Sequence, residues 1–168
     1  MPLKVKTTIF DKKVKWVSYS GDEIICGRYS LDDWHKAVHD IDSEKEWADF
    51  LNKSHFVKCY VLKLCSNDES IAFLYTIQED FAGKIFSVHG GGWETPLMYY
   101  RGYILMLKHL LDQGLKIRTY CQLSNSRAIR FSRSVGFVPY HYTEDEVFMW
   151  INDKRLKNSK LYKRFYSM

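Results

Sequence analysis

The sequence predicts an α/β chain of the α+β kind: a mixed, mostly antiparallel twisted sheet with helices on both faces. Three observations carry this. Strand-like segments separated by turn residues run from Phe56 to His89. A helix, a strand, a second helix and a further strand then follow one another between Pro96 and Tyr142. The helical segments are amphipathic, so each has one side to bury against a sheet. The 168 residues, 46% of them hydrophobic and 16% aromatic, suit a single domain with a core of ordinary size.

In chain order, Val5 to Phe10 and Val14 to Tyr19 flank Asp11-Lys12-Lys13 and read as a hairpin, an N-terminal extension over residues 1–23. The apolar island Ile24-Ile25-Cys26 follows. Ser30 caps a helix from Leu31 to Ile41, and Ser43-Glu44-Lys45-Glu46 has the form of a capping box for a helix carrying Trp47, Phe50 and Leu51 inward. Phe56 to Leu64, Ile71 to Gln78 and Lys84 to His89 form an antiparallel meander, its turns marked by Ser66-Asn67-Asp68-Glu69 and Ala82-Gly83. A break is expected at Gly90-Gly91-Gly92. The helix after it begins near Pro96, which suits a first turn, and ends at Gln113 before Gly114. Lys116 to Gln122 alternates as a strand does, and the last strands are Phe137 to Tyr142 and Val147 to Ile151.

The most telling stretch is Asn125 to Phe137. It reads as a polar N-terminus, one amphipathic helix and a glycine stop: Ala128, Phe131 and Val135 share one face, while Arg127, Arg130 and Arg133 take the other. Its spacing is asparagine, two residues, Ala128, seven residues, Gly136-Phe137. This resembles the segment of the GNAT N-acetyltransferase superfamily that follows the fifth strand and carries the fourth helix, whose side contacts coenzyme A. The resemblance covers roughly residues 24 to 152. It implies one GNAT-like acyltransferase domain over residues 1–151, with residues 152–168 as a basic C-terminal tail.

In that superfamily the fourth strand splays from the fifth, the pantetheine arm lies in the gap, and the pyrophosphate sits on backbone amides at the start of the third helix. The resemblance therefore implies acetyl-CoA as co-substrate, bound by Val88, Gly90, Gly91, Gly92, Asn125, Arg130 and Ser132. The physics is general, since a helix N-terminus offers unpaired N–H groups and glycines let the backbone approach an anion closely. The superfamily's arginine or glutamine followed by Gly-x-Gly is missing here, which makes the triple glycine a shifted loop; three glycines also suit a plain turn. Asn125 reads both as a pantetheine contact and as an N-cap, and the roles are compatible because capping uses only the side-chain oxygen. The three arginines either reach the adenosine phosphates or form a solvated basic face.

Acetyl transfer from a thioester to an amine needs a deprotonated amine, a donor polarising the carbonyl and a proton source for the departing thiolate. The superfamily commonly supplies that proton from a tyrosine seven residues after the asparagine, where this chain has Ser132, a much poorer acid. Tyr99, Tyr100, Tyr103, Tyr140 and Tyr142 are candidates to replace it. His89 is the candidate base, because it ends the strand expected beside the acetyl group and imidazole titrates near neutral pH; otherwise it faces solvent or bonds the glycine turn. The acceptor is expected against the first helices, where Trp34, His35 and His39 stand. His35 and His39 share a helix face with no third partner in evidence, so no metal site is expected.

The composition narrows the remaining classes. Cys26, Cys59, Cys65 and Cys121 lie far apart, which indicates free thiols rather than zinc ligands or disulfides. No apolar stretch approaches a membrane span and the N-terminus lacks a secretion signal, so a cytoplasmic address and no membrane partner are expected. The chain has 25 basic and 20 acidic residues; six of the basic and one of the acidic lie from Asn152 onward, so 19 of each sign remain in a neutral body. The reading is an acetyl-CoA-dependent N-acetyltransferase acting on a primary amine of a small molecule or protein, with direct attack in a ternary complex. The second class is a noncatalytic GNAT-like domain binding a ligand or a protein. The third, nucleic-acid binding through the aromatic and basic tail, is not favoured, and a homodimer is left open.

Overall fold

The computed structural model describes residues 8–19, 57–92 and 96–166. Two compact units emerge, one of residues 1–77 and 89–99, the other of residues 78–88 and 100–168. All eight strands belong to one mixed, mostly antiparallel sheet, and four helices accompany it among the described residues. The helices expected between Leu31 and Leu51 lie outside the described residues.

In the first unit, β1 (Thr8–Phe10) and β2 (Val14–Tyr19) form the expected hairpin, pairing Thr8 with Val17 and Phe10 with Lys15. Its turn is closed by Asp11, whose carboxylate Oδ1 accepts from the N–H groups of Lys13 at 2.7 Å and Val14 at 2.9 Å. β2 pairs antiparallel with β3 (Val57–Leu64), and β3 with β4 (Ser70–Gln78). At the β3–β4 connection Asp68 takes a left-handed conformation (φ 58°), which aspartate tolerates, and Lys15 forms an ion pair with it. Trp16, Leu62, Ala72 and Leu74 are fully buried and form the centre of this unit's core.

The next strand departs from expectation. β5 (Ile85–Gly92) does not end at His89 but runs through the three glycines. Gly90 shows why: a Cβ on it would lie 2.5 Å from the Phe73 carbonyl oxygen and 3.1 Å from Leu74 Cα, both backbone atoms of β4. A missing side chain is needed here for close approach within a sheet, not for a turn.

Helix α1 (Pro96–Asp112), which belongs to the second unit from Tyr100 onward, buries Tyr103, Ile104, Met106, Leu107 and Leu110, the stripe its period predicts, and stops at Gly114. β6 (Lys116–Gln122) leads into α2 (Ser126–Ser134), and β7 (Val138–Tyr142) and β8 (Glu146–Ile151) complete the strands. β8 lies between β6 and β7, antiparallel to both. The α2 stop is a two-bond motif. The Gly136 N–H donates to the Arg133 carbonyl at 3.1 Å and the Phe137 N–H to the Ser132 carbonyl at 3.0 Å, with Gly136 at φ 111°.

The basic segment expected as a tail forms two capped helices, α3 (Asp153–Asn158) and α4 (Lys160–Phe165). Asn152 Oδ1 and Ser159 Oγ accept from the first-turn N–H groups of Arg155 and Tyr162. Leu156 is fully buried, and Tyr166 returns to α1, its hydroxyl donating to the Arg101 carbonyl at 3.2 Å while the Arg101 guanidinium covers its ring. α3 also packs on the α2 stop: a Cβ on Gly136 would lie 2.7 Å from the Arg155 carbonyl oxygen. Among the described residues no helix is long and apolar enough to cross a membrane.

Gly90→Ala and Gly136→Ala should each cost about 1–3 kcal/mol, since both place a methyl group against backbone that cannot rotate away. Urea denaturation will show a lower midpoint at unchanged slope for each variant; an unchanged midpoint for either would refute the packing account.

Candidate functional site

The arrangement begins with the parallel pair in the second unit. β5 and β6 match Ile85 with Lys116, Phe86 with Ile117 and Ser87 with Arg118. Beyond this backbone ladder a side chain takes over: Thr119 Oγ1 donates to the Val88 carbonyl at 2.9 Å, and both residues are buried. Strand alternation puts Ile117, Thr119 and Cys121 on one side of β6. On that side Cys121 Sγ meets the Ser132 hydroxyl of α2 at 3.9 Å. Ser132 is only 5% exposed, so its hydroxyl is turned inward against the strand. Burial pushes the Cys121 thiol up, against the opposing pull of the Ser132 hydrogen bond, which keeps it protonated at neutral pH.

Helix α2 positions the other residues read from the sequence. Asn125 is its N-cap, with Oδ1 accepting from the Ala128 N–H at 3.1 Å. The Asn125 side-chain amide N–H groups have no partner among the described residues and remain exposed to donate elsewhere. Phe131 docks the helix on α1, stacking on Tyr100 with ring centroids 4.7 Å apart and tilting against Tyr103 at 5.1 Å. Arg127, Arg130 and Arg133 are exposed, as the amphipathic pattern predicts. Arg130 and Ser132, two positions apart, are separated by about 200° around the helix. They share an element without converging on one point.

The candidate tyrosines separate in the same way. Tyr99 and Tyr103 are buried and Tyr100 is held on Phe131, whereas Tyr140 and Tyr142 are exposed on β7. The Tyr140 hydroxyl accepts from Arg118 Nη1 at 3.4 Å.

In the first unit, His89 stacks on Tyr75 with ring centroids 5.2 Å apart. Burial lowers its imidazole to about 4, well under the near-neutral range the free side chain suggests, so it is uncharged at pH 7. Gly90, Gly91 and Gly92 continue the same strand rather than forming a loop. Trp34, His35 and His39 lie outside the described residues.

Two residues with a part in this arrangement were not singled out from the sequence. Thr119 ties β6 to β5 where the ladder ends, and Cys121 faces Ser132. The available signal was the alternation of Lys116 to Gln122, which sets Ile117, Thr119 and Cys121 on a common face and so requires partners for the polar ones.

Comparison with known proteins bears on this geometry. No protein-family profile matches the sequence, and no curated protein does. Solved structures do match. A GNAT-family acetyltransferase from Bacillus anthracis superposes with a TM-score of 0.70 at 14% identity, over 88% of this chain and 99% of its own. The apo form of FdhC, a nucleotide-linked sugar GNAT, gives 0.71 at 12% identity over 96% and 99% of the two chains. RimL, the ribosomal L7/L12 alpha-N-protein acetyltransferase, gives 0.64 at 12% identity over 89% and 96%. At these identities the likeness is one of architecture, and the chain has the fold of the GNAT acetyltransferases.

Proposed function

We propose that this protein is an acetyl-CoA-dependent N-acetyltransferase that moves an acetyl group to a primary amine of a small molecule or protein, by direct attack in a ternary complex. The observation that carries the reading is the parallel β5–β6 pair, whose ladder gives way to the Thr119–Val88 bond and is followed by an asparagine-capped helix. It supports a pantetheine arm received at the C-terminal ends of these strands, the usual place for a ligand in a sheet with parallel strands.

The residues fit the role. The Asn125 amide N–H groups, not used in capping, are donors for the carbonyls of the arm. Arg130, exposed and without a carboxylate partner among the described residues, is a cation for the adenosine phosphates. Coenzyme A supplies an activated acyl group and a thiolate leaving group. His89, uncharged at pH 7, accepts a hydrogen bond from water that takes up the amine proton, and its low basicity makes it a relay rather than a reservoir. Ser132 and the Cys121 thiol hold a proton at the inner face of α2. FdhC acts as a nucleotide-linked sugar GNAT and RimL on a protein α-amino group; either acceptor class is compatible with this chain.

The burial of the Ser132 hydroxyl against Cys121 favours a second reading, a GNAT-like domain that binds its ligand without turnover. Calorimetric titration with acetyl-CoA decides the shared part of both. Saturable micromolar affinity is expected, with dephospho-CoA about tenfold weaker in the wild type and equal to CoA in Arg130→Gln. No heat at millimolar ligand overturns the enzyme and leaves a noncatalytic domain that binds another ligand or a protein. Thiol release in the presence of an amine panel separates them: in the enzyme, Ser132→Ala lowers kcat about tenfold or more while acetyl-CoA affinity stays within about twofold, and binding without release identifies the noncatalytic domain.

His89 also makes stability depend on pH. Its folded-state value of about 4 lies below the 6.5 of the free side chain, so between these values the unfolded chain holds a proton that the native state does not. Stability is complete above pH 6.5 and falls as pH drops toward 4, with a slope approaching about 1.4 kcal/mol per pH unit. Thermal melts at pH 7 and pH 5 will show a larger loss for the wild type than for His89→Gln; equal losses would refute the assignment.

A further inference from the structure

A second feature of the chain lies away from the arrangement described above. Where the Gly136 turn meets α3, an open cavity of about 630 Å³ is lined by Arg133 from the end of α2, Lys154 and Arg155 from α3, and Lys160 from α4, with Asn158 as a neutral polar neighbour. No aspartate or glutamate lines it. The nearest acid in sequence, Asp153, meets Lys157 through Oδ2 at 2.9 Å, while its Oδ1 is buried with no hydrogen-bond partner. None of the four cations has a carboxylate partner among the described residues. Arg155 is fixed, its guanidinium 4.4 Å from the Trp150 ring centroid, and its Nη1 is buried with no hydrogen-bond partner.

Four like charges around one cavity repel one another. That repulsion is relieved by an anion with several oxygens. The volume falls within the ~300–1,000 Å³ of small-molecule sites. Guanidinium groups grip phosphate oxygens in pairs, while lysines add point charge. Four cations exceed what one phosphate group uses. We propose that this cavity is a binding site for a small molecule carrying two or more phosphate groups. Its lining shares no residue with those read as acetyl-CoA contacts, although Arg130 and Ser132 stand within one helical turn of Arg133.

The test uses the full chain and sodium tripolyphosphate, followed by calorimetry at constant ionic strength. Saturable binding is expected, at least about tenfold tighter than sulfate. The double variant Lys154→Gln/Lys160→Gln should weaken it about tenfold or more, while Lys163→Gln/Arg164→Gln, which removes equal charge from outside the cavity, and Arg130→Gln leave it within about twofold. ATP binding more tightly than tripolyphosphate supports the site and assigns a nucleotide; equal affinity supports it and assigns the phosphates alone. Equal weakening in the two double variants would reduce the effect to diffuse charge. Displacement by acetyl-CoA, an absence of saturation, or a single-stranded oligonucleotide binding more tightly with a steep salt dependence would also overturn the proposal.

Discussion

The parallel pairing of β5 with β6 is the constraint on which the second unit depends. An antiparallel neighbour can be reached by a short turn, but a parallel one needs a crossover of a dozen or more residues. α1 supplies it over 17 residues and ends at Gly114, whose φ of 77° turns the chain into β6. Once β6 runs parallel to β5, α2 must bring the chain back before the antiparallel hairpin of β7 and β8 can return β8 alongside β6. Thr119 marks the end of the parallel ladder. Its hydroxyl gives the Val88 carbonyl a donor at the point where backbone pairing passes to a side chain. That carbonyl is buried, so the bond removes a penalty of about 1–3 kcal/mol that an unsatisfied group would carry.

The polar groups of the second unit at these strand ends share a property: all are kept uncharged. Thr119 and Ser132 are buried hydroxyls with partners, and Cys121 is held as a thiol. In the first unit, His89 by itself loses its proton well below neutrality. The cations of α2 stay outside, exposed to solvent. This division follows from desolvation, since neutral hydroxyls and thiols need only a hydrogen bond to enter a core while a guanidinium needs an anion as well. Under the function proposed above, it also keeps charge at the surface, where the phosphates of the donor would be neutralised away from the thioester.

What the sequence discloses here tracks how local the controlling interactions are. α2 is legible in the sequence because its cap, its period and its glycine stop all act within one helix length. The hairpin was legible for the same reason: Asp11 bonds the turn it sits in. The glycines after His89 misled because Gly90 answers to the β4 backbone, many residues away in sequence, and nothing adjacent distinguishes a strand glycine under close approach from a turn. The depressed titration of His89 and the Cys121–Ser132 contact are likewise products of burial and register. The basic segment from Asn152 read as a tail because its charge is conspicuous and its anchors are not: one buried leucine, and one tyrosine returning to the Arg101 carbonyl.

Those anchors change the meaning of the charge. A basic tail in solvent would leave the fold's stability insensitive to salt. Here Lys154, Arg155 and Lys160 are held beside Arg133 by the packing of α3 on Gly136, so folding gathers around one cavity four cations of which only Lys154 and Arg155 are neighbours in the unfolded chain. Such repulsion is screened within about 10 Å at ordinary ionic strength and is relieved more completely by a multivalent anion seated among the charges. A ligand that binds this assembled cavity and not the unfolded chain must raise stability with its concentration. The docking of α3 on α2 and the affinity of the cavity are therefore one equilibrium viewed from two sides, and the glycine that permits the first is a requirement for the second.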